Sequence, residues 1–140
     1  SSIALGIAIS KPDINVICID GDGSLIMHMG SISTIGKSKL PNIHHIVLNN
    51  QVHDSVGGQK TSADNIDLPK LFNANSYKNT FFVDNQNSLK SNINKMLNLK
   101  GPNFIEVLIK PGSRDDLGRP TIQPIDNKKS FMNYIKKVDG

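Results

Sequence analysis

Short apolar runs alternate along the chain with segments of helical periodicity. Residues Ser2 to Ser10 are small and apolar, read as the end of a helix, and stop at Lys11-Pro12-Asp13. Asn15-Val16-Ile17-Cys18-Ile19 is a continuous, mostly β-branched run, the pattern of a strand buried on both faces in the middle of a parallel sheet. Asp20-Gly21-Asp22-Gly23-Ser24 breaks that run, and Leu25, Met29, Ile32 and Ile35 then recur at helical spacing, predicting one helix over 25–36. A second run, Ile43 to Leu48, ends at Asn49-Asn50 and completes a strand-helix-strand unit that should cross over right-handed. No periodicity is visible from Gln51 to Ile66, and loops of that length are usually functional or disordered. Beyond it the pattern predicts a helix opened by Asp67-Leu68-Pro69, a strand from Thr80 to Val83, a helix from Asn87 to Leu99, a strand from Phe104 to Ile109, a loop to Ile125, and a last helix over 128–138. That helix carries Phe131, Tyr134, Ile135 and Val138 on one face. The alternation points to an α/β protein with an open, mainly parallel sheet flanked by helices.

Composition narrows this picture. The chain has 140 residues, 37% of them hydrophobic and 20% charged, enough for a single domain with one core, so residues 1–140 read as one unit. The one cysteine, Cys18, excludes a disulfide scaffold and reads as a small buried hydrophobe, which fits a reducing cytoplasmic compartment. No apolar stretch reaches the roughly 18 residues of a membrane span, and the first residues lack the basic region of a signal peptide. The net charge of +4 comes from scattered lysines, and Trp is absent, so neither a basic stripe nor stacking platforms for nucleic acid are evident. The chain opens on apolar residues without Met and reads as a piece of a longer protein.

In open parallel sheets, ligands bind beyond the carboxyl ends of the strands. The first strand runs into Asp20-Gly21-Asp22-Gly23-Ser24 and the second into Asn49-Asn50-Gln51-Val52-His53. Glycines at 21 and 23 let backbone N–H groups approach an anion, Asp22 can hold a divalent cation, and Asn50 offers a hard amide oxygen. An EF-hand reading of the first segment fails, because Leu25 stands where Gly is needed and Ser31 where Glu is needed. The P-loop and dinucleotide glycine patterns fail as well. On these five residues alone, a plain strand-to-helix turn and a ligand site remain equally open. His44 and His45 are neighbours in a strand and point to opposite faces; with His28 on a helix, none shares a metal-ligand spacing, and all three read as structural or surface residues.

The pair of segments is more specific than either alone. Gly21-Asp22-Gly23 followed at the next strand end by Asn49-Asn50 resembles the metal-binding motif of thiamine diphosphate enzymes. Three blocks carry the likeness further: Gly21 to Gly30; Leu48 to Gln59, with its Val56-Gly57-Gly58-Gln59; and Lys110-Pro111-Gly112-Ser113-Arg114 with Leu117-Gly118-Arg119-Pro120-Thr121. Together they make essentially the whole chain similar to the phosphonopyruvate decarboxylases, with the sulfopyruvate decarboxylases as near relatives.

The resemblance implies a thiamine diphosphate-binding fold, specifically the domain that holds the diphosphate, and a carboxy-lyase activity that converts phosphonopyruvate to phosphonoacetaldehyde and CO2. It implies Mg2+ held by Asp22, Asn50 and the Val52 carbonyl, with Gly21, Gly23 and Ser24 joining them at the cofactor. It also implies a pyrimidine-binding domain or subunit elsewhere that supplies the activating glutamate, so that this chain alone would be inactive, and assembly as a homo-oligomer. A subunit of a two-chain sulfopyruvate decarboxylase and a non-catalytic cofactor-binding remnant are the alternatives. His53 stands as the candidate acid/base or substrate-contacting residue, against a loop histidine that merely faces water. Arg114 and Arg119, the only arginines, could hold a phosphonate through their planar forks, although surface or intersubunit ion pairs are the commoner use.

Overall fold

The computed structural model describes residues 1–138. The elements run α1 (Ser2–Ser10), β1 (Val16–Gly21), α2 (Asp22–Met27), α3 (Gly30–Ser38), β2 (Ile43–Asn49), α4 (Leu68–Ala74), β3 (Asn79–Val83), α5 (Gln86–Leu97), β4 (Asn103–Leu108) and α6 (Pro124–Lys137). The four strands form one parallel sheet in the order β1-β2-β4-β3. Among the described residues no helix is long and apolar enough to cross a membrane.

Side chains alternate across the pleat and build two cores. On one face, Val16, Ile43, Val47 and Phe104 pack with Leu25, Ile32 and Ile35 from α2 and α3 and with Phe72 from α4. Phe72 stacks on Phe104 with ring centroids 3.6 Å apart, and Tyr77 meets Phe72 edge-on at 4.7 Å. On the other face, Ile46, Val83, Ile105 and Val107 pack with Met96 and with Leu89, Ile93 and Leu97 of α5.

Besides the two cores in place of the one expected and a last helix that starts at Pro124 and not at Lys128, the structure differs from the sequence reading in two places. The expected helix over 25–36 is two helices: His28 at the end of α2 leaves helical geometry, with φ −125° and ψ 34°, and α3 restarts at Gly30. Leu25, Ile32 and Ile35 still reach one core, because the break redirects the chain while keeping its apolar side inward. The apolar run at Val16-Ile17-Cys18-Ile19 lies on the edge strand of the sheet and not in its middle. Ile17 and Ile19 are 46% and 62% exposed, and Phe131 and Tyr134 of α6, which line the same cavity, are about half exposed themselves. The middle of the sheet is β2 with β4, whose burial is nearly continuous.

Two consecutive histidines serve opposite faces of β2. His44 accepts from Asn103 through Nδ1 (3.1 Å) and donates to Asn15 through Nε2 (3.3 Å), a neutral tautomer consistent with the burial that lowers its pKa. His45 donates through Nε2 to Asp20 (2.9 Å) and accepts from the Tyr77 hydroxyl (3.3 Å). That bond holds the Asp20 carboxyl below its ordinary pKa, and burial raises those of Tyr77 and Cys18.

Candidate active site at the carboxyl ends of the strands

Parallel register sets Gly21 beside Leu48, so the segments that follow β1 and β2 emerge side by side. Asp22 is the first residue of α2, and its carboxylate is 1% exposed. Its Oδ2 accepts a 2.5 Å bond from the Thr61 hydroxyl, and no cationic side chain pairs with it among the described residues. A buried carboxylate without a positive partner is costly, and a coordinated metal ion is one way to balance it.

The second segment is a clasp. Gln51 takes a left-handed conformation (φ 61°) and turns the chain into an antiparallel bridge between Val52 and Lys60. The bridge is carried by its flanking bonds, His53 N–H to the Gln59 carbonyl (2.7 Å) and Thr61 N–H to the Gln51 carbonyl (2.9 Å). Val52 therefore occupies a non-hydrogen-bonded position, and its own carbonyl is left outside the ladder. The clasp returns Thr61 to Asp22 and lays the His53 ring on Gly23. A Cβ at Gly23 would overlap His53 Cε1 and stand 2.5 Å from Nδ1, so any other residue there would push the His53 ring away.

The two asparagines behave alike. Each side-chain oxygen accepts from the backbone N–H two residues on: Asn49 from Gln51 (3.1 Å) and Asn50 from Val52 (3.1 Å). Each side-chain NH2 donates to a carboxylate: Asn49 to Glu106 (2.7 Å) and Asn50 to Asp54 (2.7 Å). The carboxylates settle which end of each amide is oxygen, and Asn50 keeps its oxygen on the Val52 side. Asp54 also accepts from the Gly112 N–H (2.9 Å), which ties the Lys110-Pro111-Gly112 segment to the clasp.

The structure thus sets His53 on Gly23 and ties Asp22 through Thr61 to Gln51, the residue between Asn50 and Val52, with Gly21 and Ser24 adjoining Asp22 and Gly23 in the chain. A carboxylate, an amide oxygen and a free carbonyl are the hard donors that Mg2+ takes, and the buried, unpaired charge of Asp22 fits a cation there. The helix that follows is only six residues long, so anion binding would rest on the unpaired N–H groups of its first turn more than on a long helix dipole. Arg114 pairs with Asp116 (3.3 Å) on an exposed loop, and Arg119 is exposed. Sequence reasoning missed Thr61, Asp54 and Glu106, and it placed Asn49 in the motif without a role. Glu106 alone carried a local signal, an acid within the apolar run Phe104 to Ile109.

Comparison with known proteins agrees with this geometry. Residues 1–107 match the family described as thiamine pyrophosphate enzyme, C-terminal TPP binding domain. The phosphonopyruvate decarboxylase of Streptomyces viridochromogenes is 36% identical over 135 residues, covering 96% of this chain and 34% of that protein. The sulfopyruvate decarboxylase subunit beta of Methanothermobacter thermautotrophicus is 33% identical over 140 residues, covering 100% of this chain and 70% of that subunit. A solved structure from Mycobacterium smegmatis, described as thiamin diphosphate-dependent, superposes with a TM-score of 0.58 at 24% identity, over 78% of this chain and 21% of that one. The chain spans about a third of the length of the phosphonopyruvate decarboxylases it matches. With the motif, the sheet and the family match in agreement, this chain belongs to the C-terminal TPP-binding domain family of thiamine pyrophosphate enzymes.

Proposed function

We propose that this chain is the diphosphate- and Mg2+-binding part of a thiamine diphosphate-dependent 2-oxo acid decarboxylase, and that its substrate is phosphonopyruvate. The observation that carries the reading is Asp22: a buried carboxylate without a cationic partner among the described residues, linked through Thr61 and Gln51 to the turn that carries Asn50 and the Val52 carbonyl. These three would hold the metal. Gly21, Gly23 and Ser24 would present backbone donors to the diphosphate.

When bound, the cofactor supplies the electron sink that loss of CO2 from a 2-oxo acid requires. The chain's own residues do the positioning. Thr61 engages one oxygen of Asp22, which leaves the other for the metal. Asp54 orients Asn50, and the clasp presents Val52. His53, its ring resting on Gly23, is the proposed group that holds or moves a proton at the substrate. A pyrimidine-binding domain or companion subunit would supply the activating glutamate, and the assembly would be a cytoplasmic homo-oligomer.

A second reading has its own support. Sulfopyruvate decarboxylase subunit beta is covered over 70% of its length, against about a third for the phosphonopyruvate enzymes, so a two-chain sulfopyruvate decarboxylase is the alternative. The test is CO2 release by the full-length protein with Mg2+ and thiamine diphosphate. Phosphonopyruvate should be turned over with kcat/KM at least about tenfold above sulfopyruvate, a difference of roughly 1.4 kcal/mol in transition-state binding. Faster turnover of sulfopyruvate, with or without a companion subunit, would assign the second reading. Turnover of neither acid would contradict the decarboxylase assignment.

A further inference from the structure

Glu106 is an acid in the middle of the sheet. It sits on β4 between Ile105 and Val107, in register with Val47 of β2 and Phe82 of β3, and is 6% exposed. It shares its side of the sheet with Phe104 and forms part of the wall of a cavity of about 580 Å3, together with Gln51, Ala63, Asp67 and Phe82. Burial raises its pKa, the carboxylates of Asp67 and Asp22 add to the rise, and the bond from Asn49 opposes it. A buried ionisable group is expensive, and none of the roles given above to Asp22, Asn50, Val52 or His53 uses this one.

We propose that Glu106 is a positioning residue for the metal-binding clasp and acts through Asn49. Its Oε1 accepts 2.7 Å from the Asn49 NH2. That bond turns the Asn49 oxygen to the Gln51 N–H at 3.1 Å, where it anchors the residue with φ 61°. Gln51 is the pivot of the clasp: its N–H is held by Asn49, and its carbonyl accepts from Thr61 (2.9 Å), the residue bonded to Asp22. The path Glu106, Asn49, Gln51 therefore ends on both sides of the proposed metal, at Val52 through the chain and at Asp22 through Thr61. Without Glu106 the Asn49 amide is free to rotate, and Gln51 loses its side-chain anchor. This inference rests on the reading of Asp22, Asn50 and Val52 as the Mg2+ ligands.

The test is calorimetric titration of Mg2+ and thiamine diphosphate into the full-length protein, with Asp22→Ala as reference. Glu106→Ala should weaken Mg2+-dependent cofactor binding by about 10- to 100-fold, the usual cost of losing an outer-sphere partner. Glu106→Gln keeps an acceptor for Asn49 and should recover affinity to within about threefold of the parent, since one neutral hydrogen bond differs little from another. Asn49→Ala should match Glu106→Ala, and the double variant should be no weaker than either single, as for two ends of one bond.

Parent-like affinity in Glu106→Ala, with affinity lost in Asp22→Ala, would overturn the brace and leave the metal reading intact. Parent-like affinity in Asp22→Ala would overturn the metal reading itself. Glu106→Gln as weak as Glu106→Ala would also overturn the brace, because charge and not the hydrogen bond would then be at work. Should Glu106→Ala fail to fold, Asn49→Ala decides by the same criterion.

Discussion

Replacing Asp22 with alanine is expected to weaken Mg2+-dependent binding of thiamine diphosphate by at least about 100-fold, beyond what outer-sphere losses cost. Asp22 is the only charged group among the three proposed ligands; Asn50 and the Val52 carbonyl are neutral. The same substitution should leave the apo protein nearly as stable as before. It takes away the acceptor of the Thr61 hydroxyl, whose oxygen still accepts from the Ala63 N–H (3.3 Å), a loss of roughly 1–3 kcal/mol, and also removes a carboxylate that is 1% exposed and has no cationic partner among the described residues. These effects oppose each other, so a small change in melting temperature beside a large change in affinity separates a ligand from a structural residue. Asp22→Asn keeps an acceptor for Thr61 and should lose affinity with less effect on stability still. A large fall in apo stability with unchanged cofactor affinity would mark Asp22 as structural.

The largest effect on stability is expected at Gly36, which is buried in the last turns of α3 where that helix crosses the end of α4. A Cβ at Gly36 would overlap the carbonyl oxygen of Asn75 and stand 2.8 Å from its carbon. Backbone and not a flexible side chain blocks the space, so one helix must move. Alanine in place of glycine favours a helix by about 1 kcal/mol, whereas forced overpacking costs about 1–3 kcal/mol and sometimes more. The clash should dominate because Ile32, Ile35, Phe72 and Tyr77 share the core that the shift would disturb. Gly36→Ala should therefore destabilise by about 2 kcal/mol in urea unfolding, the upper end of the overpacking cost less the helix gain. At Gly30, in the same helix, an added methyl group would meet nothing within 4 Å, and Gly30→Ala should be neutral or mildly stabilising. Equal behaviour of the two variants would refute the close packing of α3 on α4.

Strand positions were legible because short apolar runs between helical segments have few other solutions, and β2 and β4 lie within a residue of where the runs place them. The position of β1 was not legible from its own residues. A β-branched run says that a strand can be buried on both faces, but not whether this chain supplies the second cover for Ile17 and Ile19. The break at His28 was hidden for a related reason: Leu25, Ile32 and Ile35 keep helical spacing on either side of it. In the site, the motif named Asp22 and Asn50; Asp54 lies only four residues from Asn50, whereas Thr61 lies 39 residues from Asp22 and Glu106 lies 57 from Asn49. Thr61 and Glu106 have no local signature as partners of Asp22 and Asn49, because such pairs are made by the fold and not by spacing. His45 illustrates the same point: its bond to Asp20 follows from parallel register between β1 and β2, which neither strand reveals alone.

The metal site is tested most directly by titrating thiamine diphosphate into the full-length protein with Mg2+ present and again after its removal by chelator. Saturable binding is expected with Mg2+, a loss of at least about tenfold without it, and recovery when the metal is restored. Binding that is equally tight with and without divalent cation, or no binding under either condition, would contradict the assignment of Asp22, Asn50 and Val52 as the metal site.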